Sequence, residues 1–107
     1  MTDLAGRGPI GQKAPKAKRG TKAGLIHMGR VKALPCVVCH KSGPSDAHHV
    51  FHGRYGSARS SDFETIPLCR SCHMGQNGIH NDKEQWAIRN GPDHEFLPIV
   101  KAMLAQA

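Results

Sequence analysis

The chain has 107 residues, which limits it to one small domain. Its 15 Lys and Arg outnumber 8 Asp and Glu, giving a formal charge of +7 and a pI near 9.6, while hydrophobic residues are only 38% of the total. So thin a core needs help from a metal, a disulfide or a partner; no apolar run approaches the ~20 residues of a membrane-spanning helix, which sets an integral membrane protein aside.

The opening MTDLAGRGPIG has no apolar stretch behind a basic one, so no secretory signal is expected and a reducing cytoplasm is the expected compartment. The charge is concentrated at this end. Residues 1–35 hold Arg7, Lys13, Lys16, Lys18, Arg19, Lys22, Arg30 and Lys32 against Asp3 alone, whereas residues 36–107 are balanced. Rich in Gly, Ala and Pro and without hydrophobic periodicity, residues 1–24 read as a disordered basic arm. Lys13, Lys16, Lys18, Arg19 and Lys22 suit a phosphate backbone, although a solubility tail or a contact with an anionic membrane has the same composition. Residues 25–107 form the folded domain. Its first element is a short helix over Leu25–Leu34 with Leu25, Met28 and Leu34 along one face, ended by Pro35.

Two CxxC pairs follow, Cys36/Cys39 and Cys69/Cys72. Four thiolates close a tetrahedral Zn²⁺ site, and a two-residue spacer lets neighbouring sulfurs reach one ion, so a structural zinc is predicted. A redox CxxC would belong to a βαβ unit, which is absent. The pairs enclose residues 40–68, longer than the loop of a plain zinc ribbon. Within it, Ala47–His52 reads as a strand carrying His48, His49 and His52, then comes a Gly, Ser and Arg loop with Arg54 and Arg59, then a second strand over Glu64–Leu68. His73 follows the second CxxC on a short helix, and His80 lies seven residues on. Adjacent side chains on a strand point to opposite faces, so His48 and His49 have different tasks. One imidazole can ligate a divalent metal while the other takes a proton from water.

Further along, Asn81 and Glu84 form a capping box for a helix running through Trp86 to Asn90, closed by Gly91. Trp86 is expected in the core. A last helix begins near Pro98 and carries Phe96, Ile99, Val100, Met103 and Leu104 at helical spacing, a face that packs on this core or seats a second subunit.

The run of CxxC, His48-His49 and Leu68-Cys69-Arg70-Ser71-Cys72-His73 resembles the zinc-bearing HNH endonucleases over roughly residues 34–90. The resemblance implies an α+β fold: a small ββα-metal core stapled by a four-cysteine zinc site, with C-terminal helices. It implies metal-dependent hydrolysis of DNA phosphodiesters to 5′-phosphate and 3′-hydroxyl ends. His48 and His73, with His80 as a third ligand, would hold a catalytic Mg²⁺, Mn²⁺ or Zn²⁺, and His49 would be the general base. The family often has Asn where Glu64 stands, so Glu64 is expected to orient His49 or bind metal. Arg54 and Arg59, in the glycine-rich loop beside the two histidines, are placed to hold phosphate oxygens, although solvated loop charges have the same pattern. The segment Gly75–His80 with the Trp86 helix is similar to small phage and prophage nucleases, among them a recombination-enhancement nuclease acting with a RecA filament, which implies a bacterial host cell. A zinc-finger module that binds DNA without cutting it is the alternative, and its affinity would survive loss of His48, His49 and His73.

Overall fold

The computed structural model describes residues 18–51 and 60–107. Lys13, Lys16, Arg54 and Arg59 lie outside the described residues. The chain forms helix α1 (Lys22–Lys32), strands β1 (Asp46–His49) and β2 (Thr65–Leu68), and helices α2 (Arg70–Met74) and α3 (Lys83–Asn90). A 3₁₀ turn (Asp93–Phe96) then runs into helix α4 (Leu97–Gln106). This is a small mixed α/β arrangement around one two-stranded antiparallel sheet.

Helix α1 starts earlier than its hydrophobic pattern suggests, because Thr21 caps it: the Thr21 hydroxyl accepts the Gly24 N–H at 3.0 Å. Lys22 therefore lies in the first helical turn rather than in a disordered arm. The expected apolar face is also displaced. Leu25 is 55% exposed, whereas Gly24 and Val31 are buried. Gly24 sets this orientation, since a Cβ there would stand 2.6 Å from the Asp62 carboxylate. With only hydrogen at that position, the helix settles directly onto the segment preceding β2.

The strands pair in the register His48↔Ile66 and His49↔Thr65. Every residue of β2 is buried, and His48 is buried opposite it. Pro67 has no N–H to donate, but its carbonyl accepts the Val37 N–H at 2.9 Å, tying the first cysteine loop to the strand. Strand β1 ends at His49, short of the expected His52. One more bond, Val50 N–H to Glu64 O at 3.1 Å, extends the pairing, and the next N–H, that of Phe51, goes to the Asp93 carboxylate at 2.7 Å.

Val31, Leu34, Ile66, Leu68, Ile79, Trp86 and Val100 build the core around this sheet. Trp86 is buried as expected, and its indole N–H donates to Cys72 O at 3.2 Å. The cap of α3 falls one residue later than the capping box: the Asp82 carboxylate accepts the Gln85 N–H at 3.2 Å. Asn81 instead donates its amide to the carbonyls of Met74 and Gly75, closing the end of α2. Gly91, at φ 91°, terminates α3 in a conformation that side-chain-bearing residues avoid. In α4, Val100 is buried, Leu97, Met103 and Leu104 pack against the core together with Phe96 of the 3₁₀ turn, and Ile99 faces outward. Among the described residues, no helix is long and apolar enough to cross a membrane.

The two glycines of α1 should respond oppositely to alanine. A Cβ at Gly29 meets nothing within 4 Å, so Gly29→Ala gains helix propensity, about 0.5–1 kcal/mol, which raises Tm by several degrees. Gly24→Ala must push Asp62 aside and lowers Tm. Thermal unfolding of both variants at fixed zinc concentration checks the pair.

Candidate functional site

The first CxxC forms a tight loop after α1. Cys36 N–H donates to Lys41 O, His40 N–H to Cys36 O and Cys39 N–H to the Cys36 sulfur at 3.5 Å. The second pair spans the junction of β2 and α2, with Cys69 capping the helix and Cys72 inside it. Together these bring all four sulfurs within 4.8 Å of one another, and none is in a disulfide. Cys39 Sγ lies 3.6 Å from Cys69 Sγ. Four sulfurs at ~2.3 Å from one zinc would be about 3.8 Å apart, so the cluster can hold a structural zinc ion.

The electrostatics of the cluster favour a cation. Burial alone would push the Cys36 thiol up, yet backbone N–H groups of Cys39, Cys69 and Val38 bring it down to about 7. Cys72 moves the other way, pushed up by burial and by the neighbouring sulfurs. One thiolate is thus welcome, and each further one is penalised unless a positive ion joins them.

A second cluster is made by histidine. One ring nitrogen from each of His48, His73 and His80 lies within 4.8 Å of the others. Strand β1 carries His48, α2 carries His73, and the turn after α2 brings in His80 through its N–H to His73 O at 3.1 Å. His73 Nε2 and His80 Nε2 are 2.9 Å apart. Two nitrogens at ~2.1 Å from one ion are about 3 Å apart when they sit at right angles, so these rings suit a shared divalent metal.

Each ring in the first two positions is held by a carboxylate that the sequence pattern did not single out. His73 Nδ1 donates to Asp46 Oδ2 at 2.9 Å, which leaves Nε2 with its lone pair. His48 Nε2 donates to Asp93 Oδ2 at 3.0 Å, which leaves Nδ1. The same Asp93 oxygen accepts the Phe51 N–H. This pair is deeply buried, at 2% exposure for His48 and 3% for Asp93. Burial lowers the His48 pKa, against the pull of Asp93, and so favours the neutral ring that a metal requires.

His49 turns the other way, as strand alternation requires. Its Nε2 donates to Asp62 Oδ1 at 2.8 Å, and the ring is partly exposed. The hydrogen bond from His49 holds the Asp62 carboxyl below its ordinary pKa, aided by the Gly20 N–H. The expectation for Glu64 is therefore corrected. The carboxylate on His49 belongs to Asp62, while Glu64 Oε1 accepts the Ser61 N–H at 3.1 Å and closes a local turn. A two-residue offset in a tight turn separates the two candidates, and their spacing in sequence does not distinguish them. Asp46 was missed too, although the sequence carries a signal for it: it lies two residues before His48, on the same face of the strand. Asp93 has no such signal, because 45 residues separate it from its partner.

Among the basic residues of the predicted arm, Lys18 and Lys22 are exposed or partly so. Arg19 is anchored: its Nε donates to Ser60 O at 2.9 Å, and the next residue, Gly20, gives its N–H to Asp62 Oδ2 at 2.8 Å. The root of the arm and His49 thus share one carboxylate.

Comparison with known protein families matches residues 12–105 to the family described as "Protein of unknown function (DUF968)", and the chain belongs to that family. No curated protein and no solved structure matches it.

The thiol cluster makes a direct prediction. Purified chain should carry zinc that Cys36→Ser or Cys69→Ser removes, and a strong chelator should abolish cooperative unfolding in the wild type. Metal analysis and circular dichroism read both effects.

Proposed function

We propose that this member of the DUF968 family is a metal-dependent endonuclease of the HNH type that hydrolyses DNA phosphodiester bonds. The observation that carries the reading is the pairing of His49 with Asp62 one residue from a three-histidine cluster beside a four-cysteine cluster. A binding module needs the cysteines; it has no use for a carboxylate-held histidine next to a second metal-competent site. The order strand, strand, short helix, with His48 on the first strand and His73 on the helix, fits the ββα-metal arrangement.

In this reading, the Asp62 carboxylate accepts a hydrogen bond from the Nε2–H of His49 and so leaves Nδ1 as the basic atom. His49 Nδ1 takes the proton of a water molecule as its oxygen attacks phosphorus. Asp62 then stabilises the imidazolium that forms. As the P–O3′ bond breaks, its electron pair goes to O3′, which takes a proton from solvent, so that the products are a 5′-phosphate and a 3′-hydroxyl. A divalent ion held by His48, His73 and His80 would supply stabilisation of the charge developing on the phosphate and on the leaving oxygen. Asp93 and Asp46 fix the rings of His48 and His73, and through them the lone pairs offered to that ion. The basic residues Lys18 and Lys22 near the root of the arm add attraction for the phosphate backbone, as would Lys13, Lys16, Arg54 and Arg59. A phage or prophage role in recombination, in company with a RecA filament, is the cellular setting we propose.

Nicking of supercoiled plasmid by zinc-loaded protein, with Mg²⁺ or Mn²⁺ and with or without a RecA filament on single-stranded DNA, tests this. Wild type should nick only with added metal, and His49→Ala should lose about 10²–10⁴-fold. Asp62→Asn should lose part of that activity without losing zinc. If wild type binds plasmid but cuts under none of these conditions, the nuclease reading fails and the binding module replaces it.

A separate titration addresses the histidine cluster. Asp93→Asn should weaken Mn²⁺ or Co²⁺ binding by ~10–100-fold while the cysteine-bound zinc stays in place.

A further inference from the structure

A groove of about 700 Å³ opens beside the histidine cluster, between α3 and the end of β1. Phe51, Trp86 and Ile88 supply its apolar wall, Lys83, Glu84 and Gln85 its polar side, and Asp93 borders both the groove and the cluster. The Phe51 ring touches the cluster directly: its centroid is 4.8 Å from that of His48 and 5.1 Å from that of His80, both edge-on. Packing among the described elements does not use the whole of this surface. Ile88 is 74% exposed at the rim, an unusual place for a large aliphatic side chain on a helix that otherwise buries Trp86. The ammonium of Lys83 stands over the Phe51 ring, 5.5 Å from its centroid, on an exposed and flexible stem.

The geometry points to this groove as the seat of an unpaired DNA base, one that flanks the phosphate held at the histidine cluster. The inference rests on the nuclease reading above. An aromatic face covered by an exposed cation is a combination suited to single-stranded nucleic acid: the base takes the place of the Lys83 ammonium on the ring, and the ammonium swings to the adjoining phosphate. A base within a duplex is already stacked on both faces and cannot stack on Phe51 as well. The substrate class that follows is single-stranded DNA, or duplex locally opened at the cut site. Gln85, exposed on the polar side, is able to donate to and accept from a base edge. Asp93 links the two sites physically, since one carboxylate oxygen holds the backbone of Phe51 and the ring of His48.

The test uses full-length, zinc-loaded His49→Ala protein with Mn²⁺, so that binding is read without cleavage. A labelled single-stranded DNA oligonucleotide and its duplex are titrated by fluorescence anisotropy. Trp86, the only tryptophan, is followed by its own emission. Single strand should quench or shift Trp86 emission. Adding Phe51→Ala should weaken single-strand binding by roughly ten-fold or more and leave the duplex little changed. Phe51→Trp should restore single-strand affinity, which separates stacking from a disturbed fold, and Mn²⁺ binding by each variant reports that the neighbouring cluster is intact. Lys83→Ala should lower the salt dependence of single-strand binding by about one ion. Single-strand affinity that is unchanged in Phe51→Ala, or lost equally for single strand and duplex, overturns the groove. Neither of those results touches the nuclease reading, which stands or falls on plasmid nicking by protein that retains His49.

Discussion

Four sulfur atoms held within 4.8 Å of one another are the constraint on which the rest of this fold depends. They join the loop behind α1 to the junction of β2 and α2, two segments about thirty residues apart. The sheet between them has only two strands and could not stand alone in water. Once the cysteine loops are tied, β2 is fixed against the Val37 N–H, α2 starts at Cys69, and Trp86 finds the Cys72 carbonyl. The apolar core then has only to close around a frame already set, which is how so small a hydrophobic fraction suffices.

On that frame the histidines are arranged by carboxylates. Asp46 holds His73, Asp93 holds His48 and Asp62 holds His49, all at 2.8–3.0 Å. Each contact commits one ring nitrogen and so selects which nitrogen keeps a lone pair. The result is a division of labour between neighbours in sequence: His48, buried, belongs to the cluster, while His49, partly exposed, stays outside it. Alternation along a strand separates them, and two aspartates from different parts of the domain keep them apart.

What could be read from the residues follows the range of the interactions. The CxxC pairs, the opposed facing of His48 and His49, the helix with His73, the burial of Trp86 and the stop at Gly91 all depend on spacings of a few residues, and all were legible. The buried face of α1 was not, because it is decided by the contact of Gly24 with Asp62, far away in sequence. The cap of α3 slipped by one residue because Asn81 was drawn to the carbonyls ending α2, a competition that local pattern cannot weigh. The partner of His49 is Asp62 rather than Glu64, a choice between two acids that only the folded turn decides. Asp93, whose role exists only once the 3₁₀ turn has folded back onto the sheet, left no local trace.

That last contact has a consequence for the order in which the site comes together. A chain emerging from the ribosome offers Cys36 through His80, every sulfur and imidazole of both clusters, before Asp93 has been synthesised. During that interval the thiols can already gather around zinc, but the imidazole of His48 has no carboxylate to lock it and Phe51 has no acceptor for its N–H. Domains fold as their segments become available, and here the middle that carries both clusters is complete first. The Asp93 turn acts as a keystone: the nascent protein can secure its scaffold early, while the histidine cluster gains its fixed geometry only after that turn has emerged.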